Sequence, residues 1–396
     1  MKVMISAGEA SGDIHAANLV DALEKVTAAD AKLPDATQKP IEFFGMGGAR
    51  LAASGMEILV DVEKHAVMGL LEVLHKYPSL RANLTTLRKA MVDRKPDILV
   101  LVDYPHFNMK LAATAQEHGI PVLFFIAPKV WASRPGRTTE LKKLVDHMAL
   151  ILPFEKKIFD DAEIPCTYVG NPLLDNEHLV ETANSSIPAK QIKRIALLPG
   201  SRKSEIAMLL PPMLETTNKL TAQFEDIEFV IPVAETIDHQ QIEKTVSEYE
   251  ANIQLIKPTD YKQLRSCDAA LVASGTATLE LAILGIPMVV VYKLKPLSYK
   301  VLKRWLTIEH ISLVNIIADK YLVPELLQDD VTPDKLFTEL STLLTDDKAK
   351  QQQLTGLASV HKQIGLSGAS HATAELIVSL VKKDQAAAAT RNIAIP

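Results

Sequence analysis

The chain is poor in cysteine, in aromatic residues and in long apolar runs, and it has no excess of positive charge. Its 396 residues include two cysteines, Cys166 and Cys267, which are far apart. They form no metal-spaced set and no disulfide framework. A zinc module and a stapled secreted scaffold are therefore excluded, and the two read as small buried hydrophobes in a reducing compartment. Lysine and arginine total 43 against 48 acids, a net charge of −5. That balance excludes a chain whose whole surface binds nucleic acid. No window approaches the roughly 18 apolar residues that mark a membrane span. The nearest, AILGIPMVVVY, is broken by Gly285 and Pro287, and the run VMISA after Met1-Lys2 is too short for a signal-peptide core. The expectation is a cytoplasmic chain, or one peripheral to a membrane, that does not cross it. The phosphate loop GxxxxGK[ST] is absent as well, which excludes a P-loop NTPase.

What is present is an ordinary globular composition, 47% apolar and 23% charged, in a chain too long for one core. KVMIS (2–6) reads as a strand, GEASGD (8–13) as a loop and IHAANLVDALEKV as a helix. Further strands are IEFFGMGG (41–48), DILVLVDYP (97–105), PVLFFIAP (121–128), MALILPF (148–154) and CTYVGNP (166–172). Residues 180–194 are polar, hold one proline and read as a linker. A second series follows: RIALLPGSR (194–202), EFVIPVA (228–234), NIQLI (252–256), AALVASGT (269–276) and PMVVVYKL (287–294). Strands alternating with helical stretches imply parallel sheets covered on both faces. The fold class is α/β, with two Rossmann-like doubly wound domains facing across a cleft. The expected domains are 1–180, a linker at 181–194, 195–365, and a C-terminal helix and tail at 366–396 that packs back on the N-terminal domain.

Four corners could carry chemistry. In LVASGTATLE (271–280), Ser274, Gly275, Thr276 and Ala277 form a small-residue turn before a helix. The free N–H groups of such a helix start suit a diphosphate, and Glu280, one turn in, could accept from ribose hydroxyls. In LLPGSRKSEI (197–206), Gly200 and Ser201 open a second corner, and Arg202 offers a guanidinium suited to phosphate. In the first half, Asp103 ends an apolar strand just before Tyr104-Pro105, where a carboxylate can act as general base. The loop holding Glu9, Ser11, Gly12 and Asp13 would face the same side. Each pattern also fits a plainer role: a packing corner, a surface arginine, a turn aspartate satisfying nearby backbone donors, or Ser11 or Asp13 as a helix cap; His106 could pair with Asp103 or be a surface turn residue. Gly45-Met46-Gly47-Gly48 lacks the spacing of a dinucleotide fingerprint, which argues against a nicotinamide cofactor.

Two stretches could touch a lipid surface. HAVMGLLEVLHKYPSL (65–80) clusters Met68, Leu70, Leu71, Val73 and Leu74. YKLKPLSYKVLKRWL (292–306) interleaves Lys293, Lys295, Lys300, Lys303 and Arg304 with Leu297, Leu302, Trp305 and Leu306. Core helices with a solvated basic face show the same pattern.

Ten motifs in order carry a resemblance: GEASGD, FFGMGG, AVMGLLEVL, LVDYPHFN, PKVWASRPGR, ILPFE, VGNPLLD, LLPGSR, SGTATLE with PMVVVYKLKP, and SLVNIIAD. Between about residue 3 and about residue 327 the chain resembles the lipid-A-disaccharide synthases, glycosyltransferases of GT-B architecture. The resemblance implies transfer of a 2,3-diacylglucosamine unit from UDP to 2,3-diacylglucosamine 1-phosphate, with inversion and release of UDP. It implies Asp103 as base, Arg202, Gly275, Thr276 and Glu280 around UDP, and Asn315 as a functional residue of the SLxN motif. It implies no cofactor and no metal, since no Asp-x-Asp pair sits at a strand end to hold Mg²⁺. The implied partners are the two acylated sugars and the cytoplasmic face of the inner membrane, with no nucleic acid; a homodimer is compatible. The chain departs from the family pattern at His106, where a second aspartate is usual, at Ala127 and Ser133 in APKVWAS, and at Asn171 in GNP. A UDP-sugar epimerase of similar fold and a non-catalytic nucleotide-sugar sensor are the alternatives.

Overall fold

A computed structural model describes residues 1–30, 40–62, 70–132, 136–186, 192–234, 237–296, 299 and 309–393. Two compact units emerge, Met1–Asp175 with Ser367–Pro396, and Asn176–Leu366.

The first unit is built on a seven-stranded parallel sheet. Its strands are β1 (Lys2–Ala7), β2 (Glu42–Gly47), β3 (Glu57–Asp61), β4 (Ile98–Val102), β5 (Val122–Phe125), β6 (His147–Leu150) and β7 (Cys166–Tyr168). Their spatial order is β3-β2-β1-β4-β5-β6-β7. β4, ILVLV, is buried throughout because it is central and covered on both faces. Its side chains alternate between two cores. Leu99 and Leu101 join Met4, Phe44 and Phe124 on one face, while Ile98, Val100 and Val102 join Val3, Ile5 and Phe125 on the other. The helix Ala369–Ile393 belongs to this second core through Ala369, Ala374, Ile377 and Val381, and packs on the helix Ala10–Asp30. Its N-terminus is capped from far away in sequence. The Asp175 carboxylate accepts from the N–H groups of Gly368 (2.6 Å), Ala369 (3.1 Å) and Ser370 (2.9 Å).

The second unit carries β8 (Lys193–Leu198), β9 (Ile227–Pro232), β10 (Ile253–Ile256), β11 (Ala269–Ala273), β12 (Met288–Tyr292) and β13 (Glu325–Leu327). All pair in parallel, in the order β10-β9-β8-β11-β12-β13. Residues 177–184, at the end of the expected first domain, form a helix that packs on the helix Ala277–Leu284 of this unit. Two edge strands, β3 and β13, have no counterpart in the sequence reading; EILVD and ELL are short and half polar, so they give no apolar run. Cys267 is buried and Cys166 only partly so, and both are free thiols. Among the described residues, no helix is long and apolar enough to cross a membrane.

In each sheet the strand order reverses once. The reversal lies between β1 and β4 in the first unit and between β8 and β11 in the second. Ligands of doubly wound sheets bind outside the carboxyl ends of strands at such a switch point. The loops after β1 and β4 are those holding Glu9–Asp13 and Asp103, and the loops after β8 and β11 are those holding Gly200–Arg202 and Ser274–Ala277.

Candidate active site

In the first unit, Asp103 follows β4 directly and is partly exposed. Both Asp103 (φ 46°) and Tyr104 (φ 49°) adopt left-handed backbone conformations. Two consecutive non-glycine residues in that region cost on the order of 1–3 kcal/mol each, and such strain persists only where neighbours hold it. The Asp103 N–H completes the ladder to the Phe125 carbonyl at 3.2 Å. On its other side, the buried Asn108 amide donates to the Asp103 carbonyl at 2.6 Å. Pro105 then starts the helix Pro105–Glu117, with its fixed φ suited to a first helical position. The Tyr104 ring lies against Gly8, where an added Cβ would fall 2.1 Å from ring Cδ1; glycine is required there by close approach. His106 is exposed, with its ring nitrogens 3.4 Å from Arg137 Nη2.

The 8–13 segment is less of a loop than the sequence implied, because the helix begins at Ala10 and includes Ser11, Gly12 and Asp13. Glu9 and Ser11 are exposed. Asp13 is buried, and its carboxylate accepts from the N–H groups of Gly48 (2.6 Å) and Arg50 (2.9 Å). It therefore secures the glycine turn after β2 and the helix Ala49–Ala53, rather than serving as an open acceptor-side group. Asn171 is likewise internal. Its amide donates to the Ile151 carbonyl (3.2 Å) and accepts from Leu173 N–H (3.1 Å). Ala127 is buried, and Ser133 lies outside the described residues, as do residues 65–69 of the apolar stretch 65–80 and residues 297, 298 and 300–306 of the basic stretch.

Sequence reasoning missed one buried acid of this unit. Glu155 begins the helix Glu155–Asp161, is 1% exposed, and accepts from Trp131 Nε1 (3.1 Å) and Leu152 N–H (3.2 Å). Burial pushes its carboxyl up to about 7, against the lowering effect of those donors and of Lys129. Trp131 is held edge-on by Phe154, ring centroids 5.1 Å apart. The motifs PKVWAS and ILPFE thus meet at one hydrogen bond. The available signal was the acid that closes the apolar run ILPF (151–154), just before Lys156-Lys157.

In the second unit the two corners differ. At 275–277, the N–H groups of Gly275, Thr276 and Ala277 have no acceptor among the described residues, and the space beside Gly275 is open. Thr276 precedes the helix Ala277–Leu284 without a side-chain capping bond and is exposed, so this helix start faces outward with its positive end free. Glu280 lies one turn along, partly exposed, its carboxyl raised by burial to about 7 and its charge felt by the Tyr261 phenol. Tyr261 in turn accepts from Asn176 Nδ2 at 3.1 Å. At 201–202 the backbone donors are already engaged. The Glu205 carboxylate accepts from Ser201 N–H (3.2 Å) and Arg202 N–H (3.3 Å), and from the Arg202 guanidinium (3.2 Å). Gly200 holds φ 108°, and a Cβ there would collide with the Glu205 carboxylate. Tyr292, ending β12, feels both the Glu205 and Arg202 charges.

Asn315 is fully buried. Its amide donates to the Val323 carbonyl (2.9 Å) and Glu325 (2.8 Å) and accepts from Leu322 and Val323 N–H groups (2.8 and 2.9 Å). Glu325 also accepts from Ser312 N–H (2.9 Å), and Ser274 Oγ donates to the Ile311 carbonyl (2.8 Å). The SLxN motif is thereby tied to the Ser274 corner through backbone, with no amide valence left over for a ligand.

The lipid-A-disaccharide synthetase family model matches residues 3–377. The chain belongs to this family. It is 37% identical over 388 residues to the lipid-A-disaccharide synthase of Geobacter sulfurreducens, covering 96% of this chain and 98% of that one. It is 38% identical over 384 residues to that of Myxococcus xanthus, covering 96% and 97%. Among solved structures, the fold resembles a UDP-GlcNAc 2-epimerase from Neisseria meningitidis bound to UDP-GlcNAc (TM-score 0.63, 14% identity, 96% and 100% covered). It also resembles MurG from Acinetobacter baumannii (TM-score 0.56, 18% identity, 96% and 99% covered). As a member of the family, the chain is a glycosyltransferase of lipid A biosynthesis, acting on nucleotide-sugar and lipid-sugar substrates.

Proposed function

We propose that the protein transfers 2,3-diacylglucosamine from UDP to the 6-hydroxyl of 2,3-diacylglucosamine 1-phosphate, inverting the anomeric centre in one displacement. The observation that carries the reading is the match of four sequence-chosen corners to the switch points of two parallel sheets. Asp103 takes the proton of the attacking hydroxyl. The open N–H groups at 275–277 receive the diphosphate and stabilise the charge that grows on departing UDP. Arg202 adds a charge-assisted contact, with Glu205 setting the direction of its guanidinium. Glu280, as a carboxylate, accepts from the ribose hydroxyls. Asn315 acts at one remove, by fixing the 311–325 segment on which Ser274 rests.

Both sugars carry acyl chains, which supports peripheral attachment to the cytoplasmic face of the inner membrane. Trimming the apolar side chains at 68–74 is expected to reduce co-sedimentation with anionic vesicles more than it reduces UDP affinity. Undiminished sedimentation would move the assignment to 292–306. The deciding experiment for the reaction is turnover with the UDP-diacylglucosamine donor, with and without its 1-phosphate acceptor, and product mass read directly. Release of UDP only with acceptor, and a disaccharide product, supports transfer. Change of the donor without acceptor would mean an epimerase, and binding without turnover a sensor.

A further inference from the structure

Asn108 sits in the first turn of the helix Pro105–Glu117, is completely buried, and touches no open surface. Three backbone oxygens surround its amide nitrogen: Asp103 at 2.6 Å, Ser6 at 3.2 Å and Val102 at 3.4 Å. Its amide oxygen accepts from Ser6 Oγ at 2.7 Å. Ser6 lies on β1 and Asp103 at the end of β4, so one side chain ties together both strands of the switch point. A core asparagine needs a polar partner but not this one. The shortest bond goes to the carbonyl of the first of two residues held in the left-handed region. The peptide on the other side of Asp103 is held by Phe125, so both peptide planes flanking its Cα are fixed. With the planes fixed, the direction of the Asp103 Cα–Cβ bond is fixed too.

We propose that Asn108, oriented by Ser6, is a positioning residue for Asp103: it holds the left-handed corner that aims the carboxylate at the acceptor hydroxyl. The inference rests on the reading of Asp103 as base. Ser6 Oγ donates to the amide oxygen, which sets the amide's orientation and leaves its N–H groups for the Asp103 carbonyl. Replacing Asn108 removes the bond that opposes relaxation of Asp103 to an ordinary extended or helical φ. A base displaced by about an ångström loses on the order of 10²-fold in rate.

The test is a cycle of single and double variants, with turnover, KM for the UDP donor and UDP affinity measured for each. Asn108→Ala is expected to lower kcat at least thirtyfold, with donor KM and UDP affinity within about twofold of wild type. The double variant Asp103→Ala/Asn108→Ala is expected to be no slower than Asp103→Ala alone, because the second change has nothing left to aim. Ser6→Ala, a milder change at the same clamp, is expected to show a smaller loss with the same non-additivity. If Asn108→Ala does not fold, the Ser6→Ala cycle decides alone. Multiplying losses would overturn the inference, as would wild-type turnover in the Asn108→Ala and Ser6→Ala proteins while Asp103→Ala is inactive. Wild-type turnover of Asp103→Ala instead removes the base assignment itself, a separate outcome.

Discussion

At the switch point of the first sheet, two non-glycine residues in succession, Asp103 and Tyr104, hold positive φ. At the switch point of the second, Gly200 takes the positive φ and Gly275 leaves its corner open. The first corner is strained and clamped from beneath by a buried amide; the second pair is relaxed, presenting backbone donors and a helix start. The difference suits the chemistry proposed for each. A base must be aimed to within a fraction of an ångström, and an over-determined backbone does that. A diphosphate spreads its charge over several oxygens, so N–H groups and a dipole hold it without any single side chain being decisive. Within the second unit there is a further contrast. Glu205 already fills the donors at 201–202, whereas those at 275–277 have no acceptor among the described residues, so the proposed diphosphate contact is weighted toward the latter.

The comparison can be broken most directly at Asp103. Asp103→Ala is expected to fold, to bind UDP as wild type, and to lose about 10²-fold or more in turnover. Equal loss of UDP affinity would show that the two corners do not divide the labour.

Glu155 tests the first unit's reliance on buried clamps. Its carboxyl sits at about 7, above the ordinary 4.5. The folded chain therefore keeps a proton that the unfolded chain has lost between those values, and stability falls as pH rises through that window. Relative to Glu155→Gln, the wild type should lose about 2–3 kcal/mol between pH 5 and 8, read by urea denaturation at each pH. Parallel pH curves for the two proteins would rule out a raised carboxyl at this position.

Arg202→Ala probes the second unit, and calorimetry should show UDP affinity lowered by roughly tenfold or somewhat more, the worth of one charge-assisted hydrogen bond. A wild-type affinity would leave the diphosphate to the 275–277 corner alone. The smallest effect concerns Glu280. With its carboxyl near 7, Glu280, the proposed ribose acceptor, is ionised above that pH, so UDP affinity should rise by up to about tenfold from pH 6 to pH 8. Glu280→Gln should remove this rise, apart from the part that belongs to the diphosphate itself.

The sequence by itself determined the two parallel sheets, because eleven of their strands are apolar runs long enough to be read from burial alone. It also placed Asp103, Arg202 and the 274–280 corner at strand ends, since glycine, proline and small residues mark where apolar runs stop. Only the tertiary structure decided what the polar side chains nearby are for. Asp13, Asn171 and Asn315 have the same composition-level signature as ligand-facing groups, yet each is bound by internal partners, mostly backbone. Asp13 reaches across to Gly48, and Asp175 caps a helix nearly two hundred positions onward. Asn108 and Glu155 lie within motifs of the sequence, LVDYPHFN and ILPFE, but their roles could not be read there because their partners, Ser6 and Trp131, are distant along the chain. A hydrogen bond is set by distance and direction in space, whereas an apolar period is written along the chain; the second can be read from sequence, and the first awaits the fold.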